Sequence, residues 1–226
     1  MGAIAQAWNE TRAQVPEHVT LVAVSKTKPV EAVEEAYAAG ARCFGENRVQ
    51  ELVAKHEALT ADGAAKQEDH ADLMWHQIGT LQRNKVKYIA PFVDLIHAVD
   101  QASLLAEINK RAGANGRCIR VLLQLHIAAE SSKFGLSPAE LESLLLEADA
   151  GQFPHVEIAG LMGMATFTDD TRQVGMEFAG LRALFEQHGA ERGWDTLSMG
   201  MSGDWRIAVE EGSTMVRIGS AIFGAR

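Results

Sequence analysis

Cysteine is scarce: two in 226 residues, Cys43 and Cys118. A disulfide framework therefore cannot be the source of stability, a reducing cytosol is the simplest compartment, and both thiols are expected to be buried. Basic charge is also short. With 21 Lys+Arg against 30 Asp+Glu, the formal net charge is -9, which argues against a nucleic-acid or membrane-surface partner but leaves room for a local cationic pocket. The N-terminal stretch MGAIAQAWNE lacks the basic start and apolar core of a secretory signal. No uninterrupted apolar run is long enough to span a bilayer. Internal repeats, low-complexity tracts, G-x-S-x-G, P-loop and dinucleotide fingerprints are missing. His76, His97 and His126 have no metal-ligand spacing and read as core histidines. What is present is an apolar fraction of 47% with 23% charged residues, ordinary for one globular domain covering 1–226.

Short apolar runs rich in Val, Ile, Leu or Met recur along the chain, as strands buried on both faces should. They are Leu21–Lys26, Cys43–Glu46, Trp75–Gly79, Leu95–Asp100, Arg120–Ile127, Ile158–Met164, Thr196–Gly200 and Met215–Gly219. Helical patterns fill the gaps. Pro29 suits a first helical turn, Gly40 a C-terminal cap, and Val30, Val33, Tyr37 and Ala38 one buried face. Ser137-Pro138-Ala139-Glu140 has capping-box spacing. Arg172–Arg192 carries Val174, Phe178, Leu181, Leu184 and Phe185 at helical intervals, and Asp169-Asp170 resembles a helix start. The residues before Leu21 read as an extra N-terminal helix, and Ala58–Asp72 as an exposed excursion. Eight such alternations predict an α/β fold, a single (β/α)8 TIM barrel, with an open doubly wound sheet as the alternative.

The working face of such a barrel is the rim at the strand C-termini. The groups there are Lys26, Glu46 with Asn47, Gly79, Asp100, His126, Met164, Ser202 and Gly219-Ser220. Strand alternation puts Lys26 on the face of Val22 and Val24, pointing inward, where desolvation makes an amine nucleophilic toward an aldehyde. The other reading places it already in the loop and solvated. Ser202-Gly203 and Gly219-Ser220 offer hydroxyls and approachable amides after strands seven and eight, where barrels often hold a phosphate; ordinary turns are the alternative. Arg217 faces inward with Met215 and Gly219 and needs an acceptor, either an internal carboxylate or a ligand ring nitrogen.

These residues carry a resemblance. Ala23-Val24-Ser25-Lys26-Thr27-Lys28-Pro29, Phe44-Gly45-Glu46-Asn47-Arg48-Val49-Gln50-Glu51, Trp75 through Lys85, Met201-Ser202-Gly203-Asp204 and Gly212 through Gly224 occur in the order of the pyridoxal phosphate homeostasis protein family, which the chain resembles from about Leu21 onward. The resemblance implies a barrel like the N-terminal domain of alanine racemase, with pyridoxal 5'-phosphate as an internal aldimine on Lys26. It implies that Ser202, Gly219 and Ser220 hold the phosphate, that Arg217 faces the pyridine nitrogen, and that Asn47 lies near the ring. Ser220 stands where threonine is frequent, and His126 where many members have asparagine. The Ile127–Gly135 stretch keeps Glu130, Ser132, Lys133 and Gly135.

Arginine cannot give up its proton, so a ring nitrogen facing Arg217 stays unprotonated and the ring is a poor electron sink. The sequence stops at Arg226, just after the last strand, so no second domain is expected to supply a racemase-type base or dimer. The expected function is intracellular pyridoxal phosphate homeostasis without robust catalysis, by a cytoplasmic monomer that passes the cofactor transiently to dependent apoenzymes. A racemase of low activity is the alternative, and a cofactor-free Schiff-base aldolase acting through Lys26 a third reading.

Overall fold

A computed structural model of the chain describes residues 2–60, 70–129 and 134–224. Eight parallel strands close into a barrel in sequence order, with the last pairing the first. They are β1 (Thr20–Val24), β2 (Cys43–Glu46), β3 (Met74–Gln77), β4 (Leu95–Val99), β5 (Ile119–Gln124), β6 (Val156–Met162), β7 (Thr196–Met201) and β8 (Met215–Ile218). The helices around them are α1 (Ala3–Gln14), α2 (Val30–Ala38), α3 (Val49–Thr60), α4 (Val86–Ile89), α5 (Ala102–Ala114), α6 (Pro138–Asp149), α7 (Thr171–Gly189), α8 (Trp205–Glu210) and α9 (Ser220–Phe223). The extra N-terminal helix is α1, and Glu35 of α2 caps it by accepting from the Ile4 and Ala5 amides at 3.0 and 3.1 Å.

Strand alternation sorts the apolar side chains into two layers. Val22, Cys43, Leu95, Leu122, Met162 and Met215 fill the barrel interior. Leu21, Ala23, Phe44, Ile96, Val121, Leu161, Val216 and Ile218 pack outward with the helices. Such double burial is why the strands read as continuous apolar runs rather than alternating ones.

Helix ends follow the local chemistry. Beyond α2, Gly40 has φ +106, with Gly40 N–H donating to Tyr37 O at 2.9 Å and Ala41 N–H to Ala36 O at 3.0 Å. This is a Schellman cap, which favours glycine at that position. The Ser137–Glu140 capping box is formed, and Asp170 caps α7 by accepting from the Arg172 and Gln173 amides.

Several expectations need correction. Six strands stop short of the predicted C-terminal end, so Lys26, Gly79, Asp100, Ile127, Met164 and Gly219 all lie past the ladder, while β7 runs one residue beyond Gly200. Apolar pattern reports burial, and burial continues into the rim loops at Ala128 and Ala165 after pairing has ended. Pro29 caps α2 rather than opening it, and Ala32 and Ala36 line its buried face while Ala38 is exposed. Ala58–Thr60 is the end of α3, and residues 61–69 lie outside the described ones. Cys43 is buried, but Cys118 is exposed.

Candidate functional site

A cavity of about 360 Å³ opens at the C-terminal mouth of the barrel. Lys26, Asn47, Ser202, Arg217, Gly219 and Ser220 all line it, with Val24, Ile78, Met164, Met201 and Phe223 among the apolar walls. Residues spread over almost 200 positions are thus gathered on one surface by closure of the barrel.

Lys26 stands two residues past β1, half-buried, on the cavity side shared with Val24. Both peptide groups flanking it are gripped by α3. Lys55 Nζ donates to the Ser25 carbonyl at 2.7 Å, and Glu51 Oε2, one helical turn earlier, accepts from the Thr27 amide at 2.7 Å. Thr27 has φ +65, the one positive-φ residue other than glycine among the described residues. A β-branched residue pays steric strain there, and surrounding contacts must hold it. Beneath lies a buried knot: Ser25 Oγ donates to Glu46 Oε1 at 2.6 Å, and Lys55 ion-pairs with the same oxygen. Burial pushes the Glu46 carboxyl up from its ordinary value, opposed by the hydrogen bonds from Lys55 and Ser25. Glu46 therefore faces α3 rather than the cavity, contrary to its expected place on the rim. Lys55 and Glu51 escaped sequence reasoning. The available signal was a lysine on the Leu52–Lys55–Leu59 face of α3, a face otherwise in the core.

The loops after β7 and β8 meet. Gly219 N–H donates to Ser202 Oγ at 3.4 Å, and the turn at Ser202-Gly203 is closed by Asp204, which accepts from the Met201 amide at 2.6 Å. Gly200, at φ +94, marks the register shift in β7 that turns this loop over the mouth. A Cβ at Gly219 would lie 2.9 Å from the Val24 carbonyl oxygen. Gly219→Ala must therefore push β8 away from β1 at the cradle. We expect it both to weaken ligand binding about tenfold and to lower the denaturation midpoint, as titration beside a urea melt will show.

Arg217 is 4% exposed. It donates to Ser198 O at 3.0 Å, to Ser198 Oγ, and to Gly163 O at 3.2 Å. All three acceptors are neutral, so the internal carboxylate considered from sequence is not among them. Burial lowers its pKa to about 10, with Asp204 acting in the opposite sense. Deeper in the barrel, His97 Nδ1 lies 3.2 Å from Ser198 Oγ, and His97 Nε2 lies 3.1 Å from His76 Nδ1.

Both histidines are neutral. Desolvation, then the positive charge of Arg120, brings His76 down to about 4. In the unfolded chain it titrates near 6.5. Between those values the unfolded state binds the proton and the folded state does not, so stability is full above about pH 6.5 and falls on acidification. The buried histidine should therefore withdraw stability as the pH falls from about 6.5 toward 4, and urea melts at pH 7.5 and 4.5, beside His76→Gln, will check it.

Other candidates fall away. His126 does not line the cavity, and its buried Nδ1 has no partner among the described residues. Glu130, Ser132 and Lys133 lie outside the described residues. Among the described residues there is no cluster fit to hold a metal ion and no helix long and apolar enough to cross a membrane.

Comparison with known proteins places this geometry. The family model for the N-terminal domain of alanine racemase matches residues 1–226. A pyridoxal phosphate homeostasis protein of Vibrio alginolyticus is 41% identical, covering 94% of this chain and 89% of that one. The protein of the same name from Escherichia coli K12 is 40% identical over 93% and 87%. PipY of Synechococcus elongatus, solved with pyridoxal phosphate bound, is 39% identical with a TM-score of 0.85, covering 98% of this chain and all of that one. Alanine racemase from Bartonella henselae shares the fold alone, at 16% identity and a TM-score of 0.72. The chain belongs to the pyridoxal phosphate homeostasis protein family, within the wider family of alanine racemase N-terminal domains.

Proposed function

We propose that this chain binds pyridoxal 5'-phosphate covalently through Lys26 and serves to buffer and deliver it. The observation that carries the reading is the joint placement of an amine, a hydroxyl-and-amide cradle and a buried arginine on one cavity. When bound, the cofactor supplies an electrophilic aldehyde, a phosphate dianion and an aromatic ring nitrogen. The site's chemistry matches each. Lys26 offers the amine from a peptide segment fixed on both sides. Ser202, with the amides of Gly219 and Ser220, offers donors to the phosphate. Arg217 is a buried cation whose hydrogen-bond partners among the described residues are neutral, which favours an acceptor arriving in the cavity. Facing a ring nitrogen, it would donate and keep that atom unprotonated, which would disfavour carbanion chemistry. Asn47 would flank the ring, its backbone held by Gln77 Nε2 donating to Asn47 O at 3.1 Å.

The role is therefore that of a carrier rather than a catalyst, in line with relatives named for homeostasis. Its partners are cofactor-dependent apoenzymes met transiently in the cytoplasm. Two assays test this. Loaded protein mixed with an apo-aminotransferase should restore its activity. L-alanine incubated with loaded protein in deuterium oxide should keep its α-proton. Rapid deuterium uptake would overturn the carrier reading in favour of a racemase.

A further inference from the structure

Arg217, Ser198, His97 and His76 form one polar chain across the barrel lumen. Arg217 and Ser198 come from the neighbouring strands β8 and β7, His97 and His76 from β4 and β3 on the opposite wall. Its upper end lines the ligand cavity. Its lower end, His76, lines a separate cavity with Thr20, Cys43, Met74, Thr196 and Met215, the first residues of five strands. The chain thus connects the two mouths of the barrel.

Its hydrogen-bond direction can be deduced. A guanidinium only donates, so Ser198 Oγ accepts from Arg217. The hydroxyl proton then needs an acceptor, and His97 Nδ1 stands at 3.2 Å. A neutral imidazole with Nδ1 accepting carries its proton on Nε2, which faces His76 Nδ1 at 3.1 Å. His76 must in turn be protonated on Nε2. The arginine charge favours the same arrangement, because every lone pair points toward it and every proton away. Burial, then His76 and Arg217, hold His97 well below its ordinary pKa, so no imidazolium interrupts the sequence.

We propose that His97 and His76 are positioning residues for Arg217: their paired tautomers hold the Ser198 hydroxyl as an acceptor and so aim the remaining guanidinium donors at the ligand. The ligand half of this rests on the cofactor-binding reading above; the tautomers do not.

The first arm is ¹⁵N NMR of histidine-labelled, ligand-free protein. His97 and His76 should each show an unprotonated Nδ1 and a protonated Nε2. The reverse tautomers, or averaged ones, overturn the proposal. The second arm compares variants loaded with pyridoxal phosphate. His97→Leu should shift the visible absorption maximum and weaken binding roughly tenfold, the effect of one buried hydrogen bond. His97→Asn, whose Oδ1 stands near the place of Nδ1, should recover most of both. A folded His97→Leu with the spectrum and affinity of the parent overturns the proposal. If that variant fails to fold, the NMR result decides alone. Failure of the parent protein to bind the cofactor would sink the functional reading while leaving the tautomers to be judged by NMR.

Discussion

Lys55→Met should cost about 3–5 kcal/mol of stability at neutral pH, the expected effect of stripping the partner from a buried charge. Glu46 is fully buried, and Lys55 is almost so. Its Oε1 receives both Ser25 and Lys55, while its Oε2 has no hydrogen-bond partner among the described residues. Without the ammonium, the carboxylate keeps its desolvation cost and retains only the Ser25 hydroxyl. The double variant Glu46→Leu/Lys55→Met, which removes both charges, should regain most of the loss. The sign with pH is also fixed. Burial already raises the Glu46 pKa, and removing Lys55 withdraws an influence that lowers it. The folded variant then binds a proton more tightly than the unfolded chain does. Its deficit against the parent protein should be largest at neutral pH and shrink on acidification toward the carboxyl range. Urea melts of the three proteins between pH 5 and 8 will show both effects. Loss of Lys55 also frees the Ser25 carbonyl beside Lys26, so attachment of the cofactor should slow in the same variant.

Arg217→Met should weaken pyridoxal phosphate binding by about ten- to a hundredfold, the value of a charge-assisted hydrogen bond of about 1.5–3 kcal/mol. Methionine keeps the length and the packing but donates nothing. Arg217→Lys should recover only part of the loss. Arg217 reaches Ser198 and Gly163 with two nitrogens at once, and a compact ammonium cannot reproduce that fork while also facing the cavity. Equilibrium titration of the three proteins distinguishes these outcomes.

The barrel was legible in the sequence because its strands are buried on both faces and separated by helices with recognisable ends. Gly40, the Ser137–Glu140 pair and Asp170 each sit where local chemistry places them. The inward face of Arg217 followed from simple alternation on β8. The strand ends did not follow, because hydrophobic pattern tracks burial and the rim loops are buried too. The Leu52–Lys55–Leu59 face marks Lys55 as turned toward the core, but nothing local says that its partner there is Glu46. The Ser198–His97 contact joins residues 101 positions apart, so only barrel closure creates it. The expectation for Cys118 followed the general tendency of cysteine toward burial, whereas the structure leaves it exposed at the lower mouth.

The central claim is that Lys26 is the point of attachment. The most direct test is to mix purified protein with pyridoxal phosphate, reduce with borohydride, and locate the added mass by peptide mass spectrometry, beside Lys26→Ala. The parent protein should show a visible absorption band and a reduced pyridoxyl adduct on the peptide containing Lys26, and the variant neither. An adduct on another lysine, or an equal band in Lys26→Ala, would contradict attachment at Lys26.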